Sequence, residues 1–167
     1  YNFNTLEDVP DFVAAGSQEG PRVIATGSMH DKAGLLSKNS PEALEVLEHL
    51  RAKINNNLDS YCYYEKDYDT NADLCLISFL ATDLAAKEAV IKARSEGLRI
   101  KHLSLQTLFP IPKHIIFEAI AGADRVVIPE ENQSGQYADL IKHLLTDQQL
   151  IKVNKQGSMI SPSDIYE

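Results

Sequence analysis

Residues 125–136, RVVIPEENQSGQ, hold the densest set of groups able to do chemistry in this chain. An apolar run, Val126-Val127-Ile128, ends in two carboxylates, Glu130 and Glu131. An amide pair, Asn132-Gln133, and then Ser134-Gly135-Gln136 follow before a helical pattern starts. This order reads as a strand, a tight polar turn and a helix start. In open α/β sheets, ligands and partners gather where strands end and helices begin. Glu130, Asn132, Gly135 and Gln136 are therefore the first candidates for binding or interface contact. Glu130 and Glu131 are adjacent, so on a continuing strand they face opposite ways, which argues against a cooperating acid–base dyad. Glu130 can point into a cleft or a partner surface, or accept hydrogen bonds from the first amides of the next helix.

Other groups carry weaker signals. His30-Asp31 lies in a Gly- and Ser-rich loop and suits a hydrogen-bonded pair that orders it. Thr82 is placed to cap a helix, with Asp83 in its first turn opposite the dipole. The five histidines form no short metal spacing with one another or with a cysteine. Cys62 and Cys75 form neither a disulfide framework nor a metal pattern, and Cys75 reads as a small packed apolar residue. No catalytic residue and no metal ligand is expected. A dinucleotide site needs a glycine-rich turn after the first strand; here that turn is Ser78-Phe79-Leu80-Ala81-Thr82, without glycine. A phosphorylation-receiver site needs acids at the carboxyl end of that strand, whereas Asp73 is at its start. No G-x-S-x-G elbow occurs.

The elements that would position these groups are legible in the periodicity. Residues 1–21 read as linker, rich in Pro, Gly and acids, and Val23-Ile24-Ala25 as a short strand. Ser40-Pro41-Glu42 is a helix start. Leu44, Leu47, Leu50, Ile54 and Leu58 then form an apolar stripe that fails at Asn55-Asn56-Asn57. Residues 61–68, YCYYEKDY, read as a connection or short edge strand. From Asp73 the alternation is regular: strand 73–79, helix 82–96 with Leu84, Val90 and Ile91 on its apolar face, strand 98–105, helix 113–121, strand 126–129, helix 134–148 with Tyr137, Leu140, Ile141, Leu144 and Leu145 inward, and a last strand 150–153. Ser161-Pro162 opens a final helix. Repeated strand–helix units predict an α/β fold: three αβα layers around a mostly parallel open sheet of about five strands, with room for one antiparallel edge strand.

Composition narrows the function classes. The chain has 167 residues, 16 basic and 24 acidic side chains and a net charge of −8. Such a surface has no general attraction for nucleic acid or anionic lipid. The basic window 87–101 has acids interleaved and reads as a solvated helix face. No stretch approaches the roughly 20 apolar residues of a membrane span, and no signal peptide is visible. Reduced cysteines suit a cytoplasmic location. The chain opens without Met on loop-like sequence, so a piece of a longer protein is expected, with the native C-terminus near.

An ordered set of motifs now stands out: Ser78-x-x-Ala81-Thr82, a helix closing in Glu96-Gly97, Leu105-x-x-Leu108-Phe109-Pro110-Ile111-Pro112, and Val126-Val127-Ile128-x-Glu130-x-Asn132-x-x-Gly135-Gln136. The set resembles the C-terminal, transketolase C-terminal-like domain (domain II) of the alpha subunit of 2-oxoacid:ferredoxin oxidoreductases, over about residues 20–165. Thr26-Gly27-Ser28-Met29-His30-Asp31 to Gly34 is similar to the family's linker, and Gly157 to Ile165 to its closing segment. The first βα turn lacks the glycine common in the family, and the loop after Gly34 lacks its His-Pro-Thr.

The resemblance implies that 1–21 is a linker from a preceding domain absent from this chain, 22–70 a connecting strand, loop and helix, and 71–167 the α/β domain. It implies oxidative decarboxylation of 2-oxoglutarate, pyruvate or a branched-chain 2-oxoacid with coenzyme A by the full enzyme, using thiamine diphosphate, Mg and iron–sulfur clusters, none bound by this fragment. Implied partners are the remainder of the alpha subunit, the thiamine-binding beta and the gamma subunits, and ferredoxin through the full complex. An isolated fragment is expected to be inactive and able to self-associate. Two other readings stay open: a stand-alone flavodoxin-like module taking an anionic ligand at the strand ends, or a domain of another thiamine enzyme such as transketolase or a dehydrogenase E1 component.

Overall fold

The computed structural model describes residues 1–18 and 27–167. The expected strand Val23-Ile24-Ala25, Thr26 and the end of the 1–21 linker lie outside the described residues. The chain divides into two compact units, Tyr1–Tyr61 and Cys62–Glu167.

The first unit is built on α1 (Pro41–Asn55), followed by the single turn α2 (Leu58–Tyr61). Ser40 caps α1 by accepting from Ala43 N, and Pro41 opens it. The expected apolar stripe is not the packed face. Ala43, Val46, His49 and Ala52 are buried, whereas Leu44, Leu47, Leu50 and Ile54 are exposed. The N-terminal residues select the other face: Phe3 stacks on His49 at 3.9 Å and 2°, and His49 Nδ1 pairs with Leu6 O. Part of the linker thus packs on α1.

The second unit holds a five-stranded sheet in the order β1-β3-β2-β4-β5. The strands are β1 (Tyr64–Tyr68), β2 (Leu74–Phe79), β3 (Ile100–Leu105), β4 (Arg125–Glu130) and β5 (Gln149–Asn154). β2 to β5 run parallel and β1 is antiparallel to β3. The antiparallel edge is therefore the aromatic and charged segment; the last strand is the other edge and is parallel. Because β1 pairs along its length with β3, the sheet unit starts at Cys62, ahead of residue 71.

One face of the sheet is covered by α3 (Thr82–Ser95) and the short C-terminal α6 (Pro162–Tyr166). The other is covered by α4 (Lys113–Ile120) and α5 (Gln136–Ile141), the latter continuing as a 3-10 turn, Lys142–Leu144. This gives the expected three layers. The larger core lies under α4 and α5, around Ile77, Leu103, Ile116, Ile128 and Ile141. The core under α3 is thinner, because α3 packs through Ala86, Ala89, Val90 and Ala93 while Leu84 and Ile91 face outward. Small residues let α3 lie close to the sheet. The expected helix 134–148 is shorter and starts two residues later, since Glu130 and Asn132 hold its first amides; Leu140 is exposed.

Candidate functional site: the strand-end turn of residues 130–136

Glu130 ends β4 and is 1% exposed. Its carboxylate accepts from Tyr137 N at 2.9 Å and Asn132 Nδ2 at 2.7 Å through Oε2, and from Ala138 N at 2.8 Å through Oε1. Asn132 Oδ1 accepts from Gly135 N at 2.6 Å and Gln136 N at 3.3 Å. The first four amides of this helical segment, those with no partner inside a helix, are thus all taken by two side chains.

The turn is also fastened to β5. Lys152 Nζ donates to Ser134 O and Asn154 Nδ2 to Gln133 O. Gly135 sits at φ +71°, and a Cβ there would lie 2.8 Å from Lys152 Cδ and 3.0 Å from Asn154 Oδ1. Only glycine suits both the backbone and the approach. Glu131 turns away to accept from Ile160 N. The side chains of Gln133, Ser134 and Gln136 remain exposed.

β2 and β4 are neighbours whose crossover helices, α3 and α5, lie on opposite faces. The gap at their carboxyl ends is the topological switch point where such sheets place ligands. Here it is filled: the Phe79 and Tyr137 rings meet edge to face at 5.1 Å. The β2–α3 turn offers no phosphate cradle either. Leu80 adopts φ +50° with its side chain exposed. Thr82 is the first helical residue, not the cap: Ala81 holds the cap position, and Thr82 Oγ1 donates to Phe79 O at 2.9 Å.

A second polar cluster lies under α3. Ser78, His102 and Ser104 replace apolar residues at the carboxyl end of that sheet face, and all three are buried. Ser78 Oγ donates to Asp83 Oδ1 at 2.7 Å, so its other contact, 2.7 Å to His102 Nε2, requires the ring to donate. Burial lowers the His102 pKa against the pull of Asp83. Burial raises that of Asp83, but hydrogen bonds from Lys87, Ser104 and Ser78 outweigh it and hold it below the usual carboxylate value. Lys87 continues the chain to Glu65 on β1 at 2.7 Å. Asp83 is bonded to the serine at 2.7 Å and lies 3.5 Å from the same Nε2 that donates to Ser78, so the imidazole offers Ser78 no base. Sequence reasoning passed over this cluster; its signal was polar residues at alternate positions of two apolar strands.

In the first unit, Asp31 does not pair with His30. Asp31 Oδ1 accepts from Ala33 N and Leu35 N, both at 3.0 Å, and shapes the loop alone. His30 bridges Leu36 through the backbone, and its Nε2 is buried without a hydrogen-bond partner.

The 130–136 turn does not fit thiamine diphosphate, and Cys75 does not suit an iron–sulfur cluster. The α5 amides that could meet a diphosphate are occupied. Burial pushes the Cys75 thiol up to about 12, against the thiolate a cluster needs. No group of three or more His, Cys, Asp or Glu among the described residues is placed to hold a metal ion. No helix among them is long and apolar enough to cross a membrane.

Comparison with known proteins agrees with this architecture. The family described as pyruvate:ferredoxin oxidoreductase core domain II matches residues 72–165. The 2-oxoglutarate synthase subunit KorA of Methanothermobacter marburgensis is 34% identical over 115 residues, covering 68% of this chain and 31% of the relative. The 2-oxoacid:ferredoxin oxidoreductase 2 subunit alpha of Aeropyrum pernix is 25% identical over 161 residues, covering 92% and 25%. Among solved structures, the 2-oxoglutarate:ferredoxin oxidoreductase from Magnetococcus marinus, with 2-oxoglutarate, coenzyme A and succinyl-CoA bound, superposes with a TM-score of 0.74. It is 27% identical and is matched over 92% of this chain and 27% of its own. The chain thus spans about a quarter to a third of the length of these relatives. With the family matched across most of the sheet unit, the chain belongs to the pyruvate:ferredoxin oxidoreductase core domain II family.

Proposed function

We propose that this chain is domain II of the alpha subunit of a 2-oxoacid:ferredoxin oxidoreductase and serves assembly rather than chemistry. The full enzyme would oxidatively decarboxylate a 2-oxoacid with coenzyme A, giving an acyl-CoA, carbon dioxide and reduced ferredoxin. 2-Oxoglutarate leads pyruvate and branched-chain acids because the KorA relative and the solved oxidoreductase above are named for it. Thiamine diphosphate, Mg and iron–sulfur clusters belong to the rest of that enzyme, and the location is cytoplasmic. Residues 1–21 lead in from a preceding domain; beta and gamma subunits and ferredoxin complete the partners.

One observation carries the assembly role: the polar groups that would make the 130–136 turn reactive are consumed inside it. Glu130 and Asn132 fix its shape, and Gln136 is left to meet a partner. The same saturation weighs against a flavodoxin-like module with its anionic ligand at the start of α5, where it would need free amides. Calorimetry on this chain tests the role, with no thiamine diphosphate binding expected; micromolar binding would refute it. Coenzyme A-dependent ferredoxin reduction by the full complex tests the reaction. Inertness towards 2-oxoglutarate, pyruvate and branched-chain acids alike would refute that part.

A further inference from the structure

The connections at the carboxyl ends of the four parallel strands hold long uncharged stretches. Residues 79–82 lead from β2 into α3, 106–112 follow β3, 132–138 lead from β4 into α5, and 156–163 follow β5. None of these stretches contains Asp, Glu, Lys or Arg, in a chain whose residues are 24% charged. The opposite ends of the same strands are charged in every case: Asp73 before β2, Arg99 before β3, Asp124 before β4 and Asp147 before β5. Charge is therefore sparse on one rim of the sheet, where Asp83, Lys113, Glu131 and Lys155 flank the uncharged stretches.

The stretches form one face. Phe79 is level with Leu105, and Glu130 with Asn154. Continuing the β2–β4 register from Leu76 and Val127 sets Phe79 beside Glu130. Large apolar side chains stand out on this rim: Tyr63 is 63% exposed, Leu80 70%, Phe109 75% and Met159 72%. Tyr63 belongs to it because its carbonyl accepts from Gln106 N and Thr107 N. Three of the bordering charges are turned to other uses, Asp83 to Ser78 and Lys87, Glu131 to Ile160 N, and Lys155 to Asp164, while Lys113 stays exposed at the start of α4.

Leu80 is the sharpest feature. Its left-handed backbone costs a residue with a Cβ about 1–2 kcal/mol. Exposure of its side chain returns nothing to this unit. Strain of this kind persists only where neighbours over-determine it, as the Thr82 hydroxyl bond to Phe79 and the Asp83 N bond to Leu80 O do here.

We infer that this rim docks an uncharged, apolar surface of an adjoining domain of the same subunit. The inference rests on the reading of the chain as domain II of a longer alpha subunit. Exposed aromatic residues and methionine on a charge-depleted surface are the composition of an interface core. A polyanionic partner finds no cluster of cations here. The length of the relatives supplies the occupant: the match takes up 27% of the solved oxidoreductase chain, which leaves most of one polypeptide to pack around a domain of this kind.

Hydroxyl-radical footprinting of the full-length alpha subunit, alone and in the assembled enzyme, decides it. Leu80, Phe109 and Met159 are expected to label at about a tenth or less of the rate of Leu98 in both samples, as befits a dry interface core. Leu80→Glu is expected to restore labelling at Phe109 and Met159, and Leu98→Glu to leave it unchanged. Protection that appears only on adding the other subunits would overturn the occupant. Free labelling in both samples would overturn the docking face. Oxidoreductase activity, measured on the same preparation, separates these failures from failure of the underlying reading.

Discussion

Asn132 donates from its amide nitrogen to Glu130 Oε2 at 2.7 Å, and this contact joins the two caps of α5 into one. Glu130 serves the amides of residues 137 and 138, and Asn132 those of 135 and 136. Removing Glu130 leaves buried donors without partners, which costs about 1–3 kcal/mol each. Glu130→Ala is therefore expected to destabilise the domain by about 3 kcal/mol, and Glu130→Gln, which keeps one acceptor, by less. Urea unfolding with an unchanged m-value measures this; a loss below half a unit would mean the carboxylate is not the cap.

Gly135 sets the distance between the turn and β5. Gly135→Ala combines a left-handed backbone penalty of about 1–2 kcal/mol with a Cβ forced against Lys152 and Asn154. Loss of at least about 2 kcal/mol is expected. Amide exchange should localise the damage to residues 133–136 and β5, leaving β1 protected.

His102 ties stability to pH. Burial lowers its folded pKa below the unfolded value, although Asp83 on α3 and Asp67 on β1 pull the other way; Lys87 and Arg94 on α3 reinforce the lowering. Between the two values the unfolded chain binds the extra proton, so stability rises with pH there. The contribution is full above the unfolded value of about 6.5 and is lost as pH falls through the folded one. The slope from this residue is at most about 1.4 kcal/mol per pH unit. Unfolding midpoints between pH 5 and 8 should fall towards acid in the parent and flatten in His102→Gln. Equal slopes in both would remove His102 as the cause. The depressed Asp83 pKa acts in a lower, separate window, since its stability is lost only as pH falls below the carboxylate range.

On α1 the packed face is Ala43-Val46-His49-Ala52, not the leucine stripe. Leu47→Gln should change stability by no more than about 0.5 kcal/mol, whereas Val46→Ala should cost about 1–2 kcal/mol. Thermal unfolding of the two variants separates the faces directly.

The strand–helix order was legible because buried parallel strands and capped helices have short-range signatures: Ser40-Pro41, Ser161-Pro162, Gly97 and Gly122 all mark helix boundaries as expected. Facing was not legible where a small-residue face competes with a large-residue one. α1 and α3 both bury alanines and display leucine or isoleucine, because close approach can outweigh side-chain size when a neighbour fits only the small face. The 130–136 turn was found from its polar density, and Glu130 accepting from the first amides of the next helix was one of the readings; the share taken by Asn132 was not legible, since it depends on how the turn folds back on itself. The Ser78–His102–Asp83 cluster joins two strands and a helix, so no local spacing reveals it.

The central claim is that the exposed part of the turn serves contact and not chemistry. Gln136→Arg in the full enzyme tests it most directly, because Gln136 is exposed and only its backbone takes part in the cap. Intact complex is quantified by native mass spectrometry, and coenzyme A-dependent 2-oxoacid oxidation is measured per intact complex. The account predicts fewer intact complexes with unchanged turnover in each. A normal yield of complex with turnover lost would contradict it and return the turn to the chemistry of the enzyme.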